Sequence, residues 1–158
     1  MNGDTGSWPP GARRLGAWVF PATYVLHLVE ESCCGATFPV WISRHAGVDF
    51  GMRAFVWLNL VAMAAMVGAV VVVQRGRAPW MRIALGTIVL VNGAAHTIGS
   101  VVTQEYSPGL VTGLLLWLPL GVVTVVAAWH RRRSATFTLG IAAGLVAHGV
   151  VSGIVLAC

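Results

Sequence analysis

Long apolar segments separated by short polar stretches dominate this chain. A membrane-spanning helix needs about 20 predominantly apolar residues. Four segments meet that length, and they are residues 54–73, 83–102, 110–129 and 136–157. A fifth segment, residues 15–31, is shorter and contains Pro21, and we interpret it as a first helix whose outer end is polar. The pattern predicts an all-α fold, a single transmembrane domain over residues 1–158 that forms a bundle of five transmembrane helices.

The longest non-spanning segment is residues 32–53, which we predict to form a structured loop on the outer side. Cys33 and Cys34 would lie on that oxidising side together with Cys158. The sequence is compatible with a disulfide bond from Cys33 or Cys34 to Cys158, and also with three free thiols.

The arginines predict the orientation of the bundle. Eight of them fall on one side of a five-helix arrangement: Arg13, Arg14, Arg75, Arg77, Arg82, Arg131, Arg132 and Arg133. Only Arg44 and Arg53 fall on the other side. Because cytoplasmic loops of membrane proteins are enriched in Arg and Lys, we expect a cytoplasmic N-terminus and a C-terminus outside the cell.

Composition supports a membrane protein and excludes an ordinary soluble enzyme. The chain is 57% hydrophobic and 9% charged, whereas soluble domains average about 25% charged residues. The net charge of +5 does not indicate a nucleic-acid partner, because the arginines are distributed between apolar segments instead of forming one patch. The expected surroundings are therefore the lipid bilayer of a cell membrane.

Polar side chains inside the predicted helices indicate a functional site. Ionisable groups in a bilayer are costly and usually face the interior of the bundle, where they mark function. Helical spacing brings the polar side chains of this chain, ionisable or amide, to one face of each helix, and the predicted orientation places them in the outer half. They are Tyr24, His27, Glu30 and Glu31 in the first helix, Asn59 in the second, Asn92 and His96 in the third, and His148 in the fifth.

Three short motifs resemble a known family. His27-Leu28-Val29-Glu30-Glu31 reads as H-x-x-E-E, Asn92 and His96 are four residues apart, and Tyr106-Ser107-Pro108-Gly109 is followed by Thr112. This pattern resembles the HXXEE family of small bacterial integral membrane proteins. The resemblance implies a multi-pass protein of the bacterial inner membrane whose site contains His27, Glu30, Glu31, Asn92 and His96. It implies no particular reaction.

The chemistry of these groups favours acid–base catalysis on a lipid or isoprenoid-like amphiphile, of the isomerase or cyclase type. His27, Glu30, Glu31 and His96 would be the catalytic residues, because buried neighbouring carboxylates and imidazoles can hold and transfer protons. This mechanism requires no cofactor. Pro119 predicts a kink near Thr112 and Trp117 that would shape a cavity. The residues predicted to bind the substrate are Tyr24, Asn59, Asn92, Trp117 and His148.

Two alternatives remain open. In a metal-dependent hydrolase, His27, Glu31, His96 and His148 would hold a zinc or iron ion, for which imidazole and carboxylate are suitable ligands. In a non-enzymatic transporter, the same groups would pass protons or metal ions. A homo-oligomer is a further possibility, because Gly140 and Gly144 have the small-xxx-small spacing that permits close helix packing.

Overall fold

The computed structural model describes residues 10–33, 35–130 and 134–158, and these residues form helices and turns with no strand among them. Cys34 and residues 131–133 lie outside the described residues, as do the side chains of Arg13 and Arg14. The helices are α1 (Pro10–Cys33), α2 (Phe38–Ala46), α3 (Met52–Gln74), α4 (Trp80–Thr103), α5 (Leu110–Thr112), a π-helical turn (Gly113–Trp117), α6 (Leu118–Trp129) and α7 (Ser134–Leu156).

Length and hydropathy identify four helical segments of the described chain as candidate membrane spans, which indicates a multi-pass membrane protein. They are Met52–Gln74, Trp80–Thr103, Leu110–Trp129 and Ala135–Leu156. The prediction of five spans is corrected to four. The helix predicted at residues 15–31 does exist, and α1 extends beyond it at both ends. It falls short as a span because His27, Glu30 and Glu31 lower the hydropathy of its last two turns.

The segment predicted to form a structured outer loop, residues 32–53, contains a short helix. Residues 38–46 form α2, which has Pro39 in its first turn and ends at Gly47 with a positive φ of 69°. Proline suits a first helical turn because it lacks the N–H that would be unpaired there. Arg44 forms an ion pair with Glu105 at 3.1 Å, which joins α2 to the turn after α4.

The core lies where α1, α3, α4 and the π-helical turn meet. Its buried residues are Ala17, Phe20, Tyr24, Met66, Val70, Leu85, Val89 and Trp117. Many apolar side chains of the spanning helices instead face outward, as Val61 (65% exposed) and Leu115 (64% exposed) illustrate. Outward apolar side chains are expected in a bilayer because lipid tails are as apolar as leucine.

Glycines allow α7 to pack closely on α4. A Cβ atom added at Gly140 would lie 2.5 Å from Ile83 Cβ, and one added at Gly144 would lie 2.5 Å from Thr87 Cβ. Any larger residue would push the two helices apart. The Gly140–Gly144 face, which the sequence associates with a homo-oligomer, therefore packs against α4 of the same chain.

The fourth predicted span is interrupted by a wide helical turn. The backbone N–H of Leu118 donates to the carbonyl oxygen of Gly113, five residues earlier. The turn ends two residues before Pro119, which has no N–H to continue the regular hydrogen-bond pattern. Such π turns occur often at functional sites. Here the turn places Trp117 in the core, 1% exposed.

Candidate functional site

The end of α1 supplies three polar side chains to the interior of the bundle. His27 is 1% exposed, Glu31 is 5% exposed and Glu30 is 7% exposed. Because His27 and Glu31 are four residues apart, they share one face of the helix. Glu30 is rotated away from that face and reaches the turn that begins α5. The two adjacent glutamates consequently have different partners.

Glu30 caps the helix that starts at Leu110. Its Oε1 atom accepts hydrogen bonds from the Tyr106 hydroxyl and from the Val111 N–H at 2.8 Å. Its Oε2 atom accepts from the Thr112 N–H at 2.7 Å and from the Thr112 hydroxyl at 2.5 Å. A carboxylate at a helix N-terminus satisfies unpaired N–H groups and interacts favourably with the helix dipole. Glu30 is thus fully used in joining α1 to α5.

The Thr112 hydroxyl connects Glu30 to His27. Thr112 Oγ1 lies 2.7 Å from His27 Nδ1 and gives its only proton to the Glu30 carboxylate. A hydroxyl that has donated its proton can only accept a further hydrogen bond. The bond to His27 therefore requires the proton on Nδ1, and the Nε2 lone pair of a neutral His27 is left available on the opposite side of the ring.

His27, Glu31 and His96 form a compact buried group, which we call the His–Glu cluster. Glu31 Oε1 lies 3.5 Å from His27 Nε2 and 3.3 Å from His96 Nε2. One ligand atom from each residue lies within 4.8 Å of the other two. A lone pair at His27 Nε2 facing a carboxylate oxygen is unfavourable unless a proton or a cation lies between them. This geometry therefore favours a proton or a cation between the two atoms.

The turn after α4 completes the walls of the cluster. Ser107 Oγ lies 3.0 Å from His96 Nδ1, and the Ser107 N–H donates to Ser100 Oγ at 2.8 Å. Gly109 adopts a positive φ of 97°, and a Cβ added there would lie 2.7 Å from His27 Cε1 and 2.8 Å from His96 Cε1. Glycine is required at this position both by the backbone conformation and by the two imidazole rings.

Aromatic rings fix the orientation of His27 and cover the cluster. The indole of Trp117 stacks on His27 with centroids 3.8 Å apart and on Tyr24 at 5.8 Å. The Tyr24 hydroxyl donates to Asn59 Oδ1 at 2.5 Å. Phe38 of α2 packs edge-on against His96 at 5.6 Å. The imidazoles are therefore held from several sides.

A cavity of about 690 Å³ opens beside the His–Glu cluster. This volume lies within the range of about 300–1,000 Å³ that is usual for small-molecule sites. Its wall contains all five residues predicted to bind a substrate, namely Tyr24, Asn59, Asn92, Trp117 and His148. Glu30 does not line it.

The predicted residues have distinct positions around this cavity. His27, Glu31 and His96 form the cluster, but His148 is not part of it and instead has its Nε2 atom 3.4 Å from Ser152 Oγ. Asn92 Oδ1 is buried, and no donor among the described residues reaches it.

Sequence reasoning did not assign a role to four residues that build the site. These are Tyr106, Ser107, Gly109 and Thr112. The available signal was the Tyr-Ser-Pro-Gly segment followed by Thr112, which the resemblance includes without a function.

Comparison with known proteins identifies a family. A family model described as a protein of unknown function with an HXXEE motif matches residues 18–124 of this chain. The match includes His27, Glu30 and Glu31, and it extends through the π-helical turn. It confirms the resemblance noted from the motifs. Among curated proteins and among solved structures, nothing matches this chain.

Proposed function

Because the chain belongs to the family of proteins of unknown function with an HXXEE motif, we propose that the motif builds a zinc centre for hydrolysis in the membrane. The observation that carries this proposal is the meeting of two imidazole nitrogens and one carboxylate oxygen within 4.8 Å. Two histidines and one glutamate are the protein ligands of several catalytic zinc sites. The fourth position of such a site is left for substrate or water.

The two distances from Glu31 Oε1 to the imidazole nitrogens suit a tetrahedral cation. Zinc binds nitrogen and oxygen ligands at about 2.0–2.1 Å, so neighbouring ligand atoms of a tetrahedral site are about 3.3–3.4 Å apart. The two measured distances from Glu31 Oε1 are 3.3 Å and 3.5 Å. A cation between these atoms would also relieve the repulsion between the His27 lone pair and the carboxylate.

The surroundings of the two imidazoles also suit a metal. Histidine ligands usually donate their other ring N–H to a carboxylate, carbonyl or water, which orients the ring and increases its basicity. His27 Nδ1 bonds Thr112, which is itself bonded to Glu30. His96 Nδ1 faces the Ser107 hydroxyl, which can accept in the same way. In this proposal Glu30 is a positioning residue instead of a catalytic acid.

The reaction we propose is hydrolysis of an ester or amide of a lipophilic molecule. The bound cation would act as a Lewis acid on the carbonyl oxygen. Water adds across the bond, which gives a carboxylic acid and an alcohol or amine. His148 lines the same cavity outside the cluster and is our candidate for the group that moves the proton between water and the leaving group.

A metal-free reaction is the second candidate, and the position of Glu31 Oε1 between two imidazole nitrogens supports it. Protons shared by these three groups would catalyse isomerisation or cyclisation of a lipid or isoprenoid-like amphiphile. Transport is less well supported, because the cavity wall from Trp80 to Ile88 carries apolar side chains and offers no ionisable relay among its described residues.

We further propose that the α3–α4 turn is cytoplasmic, which would put the cluster in the outer half of the bilayer. Arg75 and Arg77 lie in the α3–α4 turn, at the end of α4 opposite His96. Arginine enrichment at that end supports a cytoplasmic location for it.

Metal analysis of the protein purified in detergent tests the zinc proposal. After removal of bound metal and dialysis against zinc, the wild-type chain should retain a stoichiometric ion. The variants H27A, E31Q and H96A should lose it, whereas H148A should retain it because His148 is outside the cluster. Zinc bound equally by all of these variants, or by none including wild type, would overturn the proposal. Selective retention of iron would keep the site but overturn hydrolysis.

A further inference from the structure

The polar residues of the cavity are grouped towards one end, which we call the polar end and where Phe55 and Val155 lie beyond them, and an apolar part extends from them along α4. From this asymmetry we propose that it binds a single-chain amphiphile, a fatty acyl or linear isoprenoid chain, with the tail along α4 and the polar group at the His–Glu cluster. This inference rests on the proposed function because it names the substrate class of the same site. It also specifies the direction in which the substrate lies and the residues that limit its length.

Three helices place their polar residues at the same end of the cavity. On α4, Asn92 and His96 line one end, whereas the wall from Trp80 to Ile88 is apolar. On the antiparallel helix α3, Asn59 lies near the beginning, which brings it to the end where His96 is. On α7, which runs parallel to α4, His148 and Ser152 lie in the C-terminal half.

The apolar part extends along α4. From His96 to Trp80 the lining residues of α4 span sixteen positions, which is about 24 Å of helix at 1.5 Å per residue, and the apolar wall from Ile88 to Trp80 accounts for about 12 Å of this length. Small side chains create much of this space. The alanines that line the apolar part are Ala62, Ala65 and Ala69 on α3, Ala84 on α4, and Ala143 and Ala147 on α7. A long, apolar space with one polar end is complementary to a single extended chain that carries one polar group.

The entrance lies between α3 and α7. Each of these helices packs against α4, and each contributes lining residues to the cavity, such as Met66 and Val151. Within the part of the chain that the structure describes, α3 and α7 have almost no close backbone approach to each other. Both are candidate membrane spans, so the gap between them faces lipid. A chain already dissolved in the bilayer can enter sideways without crossing water.

Chain-length selectivity tests the proposal through Ala143. Gly144 packs against Thr87 and the Ala84 carbonyl, so Ala143 lies near that level, about 14–18 Å along α4 from His96 at 1.5 Å per residue. A143F would shorten the tail space without reaching the polar end. The full-length protein in detergent would be titrated with saturated fatty acids of increasing length and with linear prenyl alcohols, and displacement of a fluorescent polyene fatty acid would be measured.

We expect A143F to lose at least tenfold in affinity for the longest chains and less than twofold for the shortest, relative to wild type. A69F should do the same from the opposite wall, which keeps the test valid if one variant does not fold. A142F is the matched control because Ala142 is exposed and does not line the cavity. Partition of each chain into detergent cancels in these comparisons because it is common to all variants.

The fatty-acid series and the prenyl-alcohol series distinguish an acyl chain from an isoprenoid chain. A loss of affinity that increases with chain length in either series supports the proposal. Identical length profiles for A143F, A69F and A142F would overturn it, as would a wild-type protein that binds no member of either series. Zinc content separates this inference from the proposed function. A143F should retain zinc as wild type does, so a failed zinc site with an intact length effect would refute the reaction and leave the chain site standing.

Discussion

Replacing Thr112 by Val removes the hydroxyl that connects Glu30 to His27 while it preserves the shape of the side chain. Thr112 Oγ1 donates to Glu30 Oε2 at 2.5 Å and accepts from His27 Nδ1 at 2.7 Å. Both hydrogen bonds disappear in T112V. The Glu30 carboxylate still has the Tyr106 hydroxyl and the N–H groups of Val111 and Thr112, so the cap of α5 persists.

The larger consequence falls on His27. Its ring is 1% exposed, so the Nδ1 proton is left buried without an acceptor, at a cost of about 1–3 kcal/mol. When the group that hydrogen-bonds to the second ring nitrogen of a metal-binding histidine is removed, metal affinity typically falls about 10–100-fold. We therefore expect the zinc dissociation constant to rise about 10–100-fold, equivalent to about 1.4–2.7 kcal/mol.

A competition titration against a chelating fluorophore measures this change on protein purified in detergent. T112S is the matched control because serine keeps the hydroxyl. Its zinc affinity should remain within about threefold of wild type, which is a smaller change than the one expected when the hydroxyl is lost. Thermal unfolding of the same samples shows whether the fold is retained. Zinc affinity in T112V equal to that in T112S would refute the connection from Glu30 through Thr112 to His27.

Two further substitutions test the geometry of the site. G109A should abolish zinc binding because its Cβ would lie 2.7 Å from His27 Cε1 at a φ of 97°; G35A, at a φ of 89° with nothing within 4 Å, is the control for backbone strain alone and should bind zinc normally. E30Q should lower stability by about 1–3 kcal/mol, because its amide NH₂ would face hydrogen-bond donors on whichever side it lies. E105Q, at a carboxylate that is 49% exposed, is the control and should change the free energy of unfolding by less than about 1 kcal/mol. Equal losses of unfolding free energy in E30Q and E105Q would contradict the assigned role of Glu30.

The sequence by itself determined the helices and much of the site. Apolar segments of spanning length are a local property, so residues 54–73 and 83–102 correspond closely to α3 and α4. Helical spacing likewise predicted that His27 and Glu31 share a face, and the cost of burying ionisable groups pointed to His96 as their partner. α2 was missed because a nine-residue amphipathic helix gives only a weak periodic signal.

Only the tertiary structure decided what the two adjacent glutamates do. Glu30 and Glu31 are adjacent residues of the same type. Glu30 nevertheless caps α5, about eighty residues away in the chain, whereas Glu31 lies between two imidazoles. Hydrogen-bond partners depend on which elements pack together, and that packing depends on contacts such as Gly109 against both histidine rings. Local pattern therefore predicts which side chains are buried, and only the packed bundle determines which donor or acceptor each of them finds.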